Sequence, residues 1–140
     1  MPQGNPYEAY ERTHVETADQ RQLILMLYDG AIRFMNKGLE KIDGQDVEGA
    51  HNYLIRARDI VSELLATLKP ENAGEIGRNL QGLYVYIFNR LVEANLSKDR
   101  EVVMEAIKLM STLRDGWASI KQPAAPQTGQ VSNRRVNVKG

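Results

Sequence analysis

Residues 23–35 read Leu-Ile-Leu-Met-Leu-Tyr-Asp-Gly-Ala-Ile-Arg-Phe-Met. This run is apolar at most positions and too long for a typical strand, so it predicts a helix that is buried on more than one side. At about 100° per residue, its apolar side chains form two adjacent stripes that together span about 200°, wider than on an ordinary surface helix. The first stripe is Leu23, Leu27, Ala31 and Phe34, and the second is Leu25, Tyr28, Ile32 and Met35. One stripe can face a helical core, and the other needs a different cover.

The composition limits the classes of protein to which the chain can belong. It has 140 residues, with 18 basic residues, 18 acidic residues and no cysteine. Its length fits one domain, and its neutral charge disfavours nucleic acid or an anionic membrane surface as the main partner. The lack of cysteine excludes disulfides and thiolate metal sites. Since neither a signal peptide nor a membrane-length apolar run is evident, we expect a cytoplasmic protein without membrane insertion.

Four helices of similar length are predicted. The first begins at Asp19, where Gln22 completes a capping box, and ends before the turn pair Asp43-Gly44. The second begins with Asp46 as its cap and ends before Pro70. The predicted ranges are 19–42, 46–68, 75–96 and 100–121. Because short connections force neighbouring helices to run in opposite directions, the pattern predicts an all-α, antiparallel, up-down-up-down four-helix bundle.

The two ends of the chain differ in composition from the middle. Residues 1–18 contain Pro2, Gly4 and Pro6, and we interpret them as an irregular N-terminal cap segment. Residues 122–140 are rich in proline, glutamine, glycine and asparagine, and they carry basic residues without acidic ones. Such a segment buries too little apolar area to offset the entropy of ordering, so we predict a disordered tail. The four-helix bundle itself is predicted over residues 19–121.

Catalytic chemistry has little support in the sequence. A dinuclear metal site in a bundle needs two Glu-x-x-His pairs and two further glutamates, whereas Glu48 and His51 form a single pair that projects to the polar side of its helix. No phosphate-binding loop or nucleophile motif is present. We therefore expect a protein that is not an enzyme and has no catalytic residues, cofactor or metal site.

Two features of the predicted third helix and one of the second bear on the apolar surface. The apolar arc of the third helix is as wide as that of the first, which fits either extra neighbours within the bundle or a groove that accepts an amphipathic helix. Gly77 and Gly82 lie within the third helix, where each glycine costs about 1 kcal/mol relative to alanine, and we interpret them as close packing contacts. Ile55 projects out of the apolar stripe of the second helix, as a single exposed apolar residue commonly does.

Several motifs together resemble the family of FliS flagellar secretion chaperones. They are Tyr7 and Tyr10, Val15-Glu-Thr-Ala18, residues 23–31, Asn79-Leu-Gln-Gly-Leu-Tyr-Val-Tyr86, Leu91 and Ala94-Asn95. The resemblance runs from about Tyr7 to Lys121. It implies a cytoplasmic chaperone that binds the C-terminal helices of new flagellin, prevents their premature polymerisation and assists delivery to a component of the flagellar type III export gate. The chaperone itself is expected to be a monomer or a homodimer.

The resemblance also suggests which residues meet the client. Tyr7 and Tyr10 match the family's N-terminal motif, which is tied to a mobile cap and to contact with client or export gate; permanent packing of both tyrosines is the alternative. From their positions on the wide arcs, the neighbouring client-binding surface is predicted to comprise Leu27, Tyr28, Ile32, Tyr84, Phe88 and Asn95. On this interpretation the first stripe of residues 23–35 faces the core and the second faces the N-terminal segment and the client. The alternative function is that of a structural helical protein that self-associates through the same surface.

Overall fold

The computed structural model describes residues 6–68 and 70–120, with side chains described for residues 20–68 and 74–120. Within these residues there are four helices, α1 (Pro6–Asp43), α2 (Val47–Ala66), α3 (Pro70–Ser97) and α4 (Arg100–Ser119). α1 packs against α2 and α4, and α3 packs against the same two helices, so that α1 and α3 lie on one diagonal of the bundle. The predicted four-helix bundle is confirmed.

Local sequence signals account for several of the helix ends. The Asp46 side chain accepts a hydrogen bond of 2.9 Å from the backbone nitrogen of Gly49, which confirms the predicted cap of α2. Asp99 caps α4 in the same manner through the backbone nitrogen of Glu101, also at 2.9 Å. Within α3, Gly74 adopts φ 58° and ψ −159°, a positive-φ conformation that is almost restricted to glycine and that interrupts the helix before its long regular part.

The start of α1 differs from the prediction. Its backbone is helical from Pro6, so the irregular backbone predicted up to residue 18 and the helix start at Asp19 are wrong. Proline is favoured in the first helical turn, and no glycine or proline follows it until Gly30, so nothing in this stretch interrupts the helix. The side chains of Tyr7 and Tyr10 lie outside the described residues, as does the predicted tail, and the proposed roles of both segments stay predictions.

The buried line of α1 runs between the two predicted stripes. Tyr28, Ala31 and Met35 are buried in the core, whereas Leu23 is 45% exposed. Leu27, Ile32 and Phe34 are partly buried and pack against the core from its edges. The assignment of the first stripe to the core and of the second to a groove is therefore wrong. The reason is that α1 has neighbours on both sides, α2 and α4, so its most buried line lies midway between them.

The contact between α1 and α2 depends on glycine. A Cβ atom added to Gly38 would lie 2.8 Å from Cδ2 of Leu54, and one added to Gly30 would lie 3.3 Å from Cδ1 of Ile60. These positions let the two helices approach more closely than a side chain would allow. Gly82 is different, because no atom lies within 4 Å of the place where its Cβ would be. The close packing predicted for Gly82 is wrong.

Ion pairs join α4 to both of its neighbours. Arg114 Nε lies 2.8 Å from Oδ1 of Asp29, and Arg100 Nε lies 2.8 Å from Oδ1 of Asp43, so two pairs connect α4 to α1. On the other side, Glu105 accepts hydrogen bonds from Arg90 at 2.8 Å and from the Tyr86 hydroxyl at 2.7 Å. The α1/α2 interface therefore relies on close glycine contacts, whereas α4 adds ion pairs at the edges of its buried apolar face.

Candidate functional site

The boundary between α2 and α3 contains a cavity of about 220 Å³. Its apolar lining comes from both helices and its polar lining from three further side chains; the lining residues are Leu54, Ile55, Leu91, Val92, Leu96, His51, Arg58 and Asn95. Pockets for drug-sized ligands are commonly about 300 to 1,000 Å³. The smaller cavity is suited to receiving one or two side chains of a larger partner.

Apolar side chains continue from this cavity along α3. Val92 and Leu96 line the cavity, and Phe88 lies beside Arg58 of α2. Val85 continues the same row by helical spacing, and the four residues span about 16 Å at 1.5 Å per residue. Val85 is 42% exposed and Leu96 is 84% exposed, so the row opens to solvent at both ends. We call these four residues, together with Ile55 and the cavity, the α2/α3 groove. Its dimensions and periodicity match the apolar face of a short amphipathic helix.

Polar contacts across the α2/α3 groove are sparse. Among the described side chains, one hydrogen bond joins the two helices, between Nδ2 of Asn95 and Nδ1 of His51 at 2.9 Å. Lys98 supports this pair from the same end by donating to Oδ1 of Asn95 at 3.0 Å. About two helical turns farther along the groove, the Arg58 guanidinium lies 5.9 Å from the ring centre of Phe88. The groove therefore has a polar group at one end, a cation beside an aromatic ring, and an apolar floor between them.

The predicted client-binding residues are distributed over three places. Phe88 and Asn95 lie at the α2/α3 groove. Leu27 and Ile32 are partly buried on α1, which does not border that groove. Tyr28 and Tyr84 are buried in the core, each 2% exposed, so a client would reach them only if the bundle opened. Binding of a client by these residues stays a prediction.

Sequence reasoning missed the contribution of α2 to this surface. Ile55 was interpreted as an isolated exposed residue, yet it lines the same cavity as Val92 and Leu96. The sequence did contain a signal, because two consecutive helices, α2 and α3, both carry apolar residues outside their core-facing stripes. Because consecutive antiparallel helices are usually neighbours, such matching surplus positions indicate a shared groove.

Two tyrosines meet across the diagonal of the core. The hydroxyl groups of Tyr28 on α1 and Tyr84 on α3 are hydrogen-bonded to each other, and their ring centroids are 6.3 Å apart. Burial raises the pKa of both hydroxyls above the usual value for tyrosine. For Tyr84, the hydrogen bond to Tyr28 raises the pKa further. Both phenols are therefore protonated at neutral pH.

This pair predicts an alkaline limit to stability. A tyrosine whose pKa is raised by folding stabilises the fold fully below its unfolded pKa of about 10, and this contribution is lost as the pH rises towards the folded pKa. We expect the free energy of unfolding to fall above about pH 10, as measured by urea denaturation followed by circular dichroism. The variant carrying both Tyr28→Phe and Tyr84→Phe should show a shallower decline. An identical decline in this variant would assign the effect to other groups, such as lysine.

No metal or membrane feature emerges from the part of the chain that the structure describes. Within residues 20–68 and 74–120, no three histidine, aspartate or glutamate side chains are grouped so that they could hold a metal ion. His51 instead lies in the lining of the α2/α3 groove. None of the described helices has the combined length and apolar character of a membrane span.

Comparison with known proteins gives one consistent result. The family model described as "Flagellar protein FliS" matches residues 3–124. The flagellar secretion chaperone FliS of Bacillus subtilis (strain 168) is 34% identical over 113 residues, which cover 81% of this chain and 84% of the relative. The protein of the same name from Salmonella typhimurium is 34% identical over 125 residues, covering 86% and 93%. The flagellar secretion chaperone FliSB of Pseudomonas aeruginosa is 29% identical over 106 residues, covering 76% and 84%.

Proposed function

Because this chain belongs to the FliS family of flagellar proteins, we propose that it is a flagellar secretion chaperone that binds the C-terminal helices of flagellin. Acting in the cytoplasm, it keeps these helices from polymerising prematurely and assists their delivery to the flagellar type III export apparatus. The family match favours this function over the self-associating structural protein that the sequence alone left open.

The observation that supports client binding is the α2/α3 groove. Filament subunits expose amphipathic helices before assembly, and the apolar face of such a helix can replace water along Phe88, Val92 and Leu96. Binding then favours the chaperoned form in proportion to the chaperone concentration over the dissociation constant. Ordering a flexible client opposes binding, which suits a complex that must later be released.

The sides of the α2/α3 groove suggest how a client helix is oriented. The amide of Asn95, beside His51, can hydrogen-bond to backbone groups at one end of the client. Arg58 is positioned to meet a carboxylate or a C-terminal carbonyl farther along, since cations favour the C-terminal end of a helix. Tyr7 and Tyr10, which match the family motif, are proposed to contact the client or the export gate.

Replacing Leu96 with glutamate should weaken client binding. The substitution places a carboxylate against an apolar helix face, and we expect the dissociation constant for a peptide from the cognate flagellin C-terminus to rise by about tenfold or more. Isothermal titration calorimetry measures this change. Circular dichroism should show unaltered helical content, because Leu96 is 84% exposed and contributes little to the core.

A matched control is available on the same helix. Ile76 is 82% exposed and does not line the cavity, so Ile76→Glu adds the same charge at the same level of exposure. We expect it to bind the peptide as the unmodified protein does. Equal weakening by both variants would place the client elsewhere than in the α2/α3 groove, and failure of the unmodified protein to bind the peptide would refute the chaperone function itself.

A further inference from the structure

A second surface, on a different side of the bundle, has the chemistry of a docking site. We propose that the outer face formed by α1 and α2 binds an acidic peptide segment of a partner protein, independently of the α2/α3 groove. This surface, the cationic face, consists of Arg33, Phe34 and Lys37 on α1 and Tyr53 and Arg56 on α2. The proposal does not depend on the identity of the client.

The centre of the cationic face is a pair of aromatic rings between two arginines. The rings of Phe34 and Tyr53 are 6.0 Å apart between centroids and are inclined by 30°. The guanidinium carbon of Arg33 lies 5.3 Å from the centre of the Phe34 ring, and that of Arg56 lies 5.7 Å from the same ring. Arg56 also lies 5.9 Å from the Tyr53 ring. Arginines from two helices thus converge on one aromatic platform.

Stacking on these rings orients the arginines without using their hydrogen-bond donors. A guanidinium group that lies over a ring keeps its N–H groups in its own plane, where they can bind a carboxylate in a bidentate manner. Because both guanidinium groups lie within 6 Å of the same ring centre, they can engage carboxylates that are one to two helical turns apart on a partner. The platform also restrains two flexible side chains before binding, which lowers the entropic cost of recognition.

The charges on the cationic face lack acidic partners among the described side chains. Arg58, Arg90, Arg100 and Arg114 each form an ion pair with an aspartate or glutamate, and the pairs are as short as 2.7 Å. Within the described residues, Arg33, Lys37 and Arg56 have no carboxylate within the 4.0 Å of an ion pair, and both arginines are exposed. Asp29 and Asp59 lie one turn from Arg33 and Arg56, but they are paired with Arg114 and Arg58. Glu40 lies one turn beyond Lys37 and Glu63 two turns beyond Arg56, so both lie beyond the two arginines at the centre of the face.

The number of charges favours a peptide over nucleic acid. A protein that relies on phosphate contacts commonly makes about 6 to 10 of them, whereas this face provides two arginines and one lysine. The chain as a whole has a formal net charge of zero, which gives no long-range attraction for a polyanion. An acidic segment with two or three suitably spaced carboxylates matches the face in both charge and extent.

Fluorescence anisotropy with a defined probe tests this proposal. The probe is a fluorescein-labelled helical peptide of about 16 residues that carries pairs of glutamates four residues apart. The full chain is titrated into this probe at low and at moderate salt. The variant with both Arg33→Gln and Arg56→Gln should bind about tenfold more weakly than the unmodified chain. A peptide of the same length with glutamine in place of glutamate should not bind.

The control variant carries Arg78→Gln and Lys108→Gln. These exposed cations lie on α3 and α4, away from the cationic face, and their removal changes the net charge by the same amount. We expect this variant to bind the glutamate peptide within about twofold of the unmodified chain. Equal weakening by both variants, absence of binding to the probe, or tighter binding of a single-stranded DNA oligonucleotide that depends on Arg33 and Arg56 would each overturn the proposal.

Discussion

Replacing Gly38 with alanine is expected to lower the free energy of unfolding by about 1 to 3 kcal/mol, even though alanine is the better helix former. The added Cβ would lie 2.8 Å from Cδ2 and 3.0 Å from Cγ of Leu54. Leu54 is 1% exposed and packs in the core, and the free space beside it is the α2/α3 cavity that it lines. Either α1 and α2 separate or the Leu54 side chain shifts towards that cavity, and the packing lost in both cases outweighs the gain in helix propensity.

Replacing Gly82 with alanine should instead increase the free energy of unfolding. No atom lies within 4 Å of the added Cβ, so Gly82→Ala should raise the free energy of unfolding by about 0.5 to 1 kcal/mol through helix propensity alone. Urea denaturation monitored by circular dichroism measures both variants under the same conditions. If Gly38→Ala were stabilising as well, the close contact between α1 and α2 would be looser in solution than the structure indicates.

A second large effect is expected at the tyrosine pair in the core. Tyr28→Phe and Tyr84→Phe each leave the other hydroxyl buried without its partner, which should cost about 1 to 3 kcal/mol of stability. Removing both hydroxyls together leaves no buried polar group unpaired. The double variant should therefore be destabilised by clearly less than the two single variants combined.

A double-mutant cycle from urea denaturation tests this coupling directly. Phenylalanine keeps the ring and its packing, so the cycle isolates the two hydroxyl groups. As a control, Tyr53→Phe alters a tyrosine that is only partly buried and should change stability by less than about 0.5 kcal/mol. Simple additivity of Tyr28→Phe and Tyr84→Phe would show that water or another group already satisfies each hydroxyl.

Local signals made the bundle predictable. Asp46 caps α2 and Gly74 interrupts α3, and both effects depend on residues within one or two turns. The apolar periodicity of the four segments is likewise a local property of the sequence. The start of α1 was missed because Asp19 and Gln22 match a capping box, whereas the helical backbone begins at Pro6. A capping motif can stabilise the start of a helix, but it does not determine that a helix starts at that position.

The candidate site was less predictable, because it depends on which helices are neighbours. Helical periodicity places Tyr28 and Met35 on one stripe of α1, but the positions of α2 and α4 decide that both are buried. Phe88 and Asn95 were predicted from the surplus apolar arc of α3, and the structure places them at the α2/α3 groove. Ile55 was missed, since its significance comes from the helix opposite it.

The α1/α2 interface and the α1/α4 interface carry different contacts, and this difference bears on the order in which the helices pair during synthesis. α1 and α2 leave the ribosome first, and their glycine contact needs nothing from the rest of the chain, so this hairpin can pair early. The ion pairs of α4 with α1 join residues 57 and 85 positions apart and can form only once the last helix has emerged. We expect α4 to close the bundle last, through its buried apolar face and through edge ion pairs that rising ionic strength weakens.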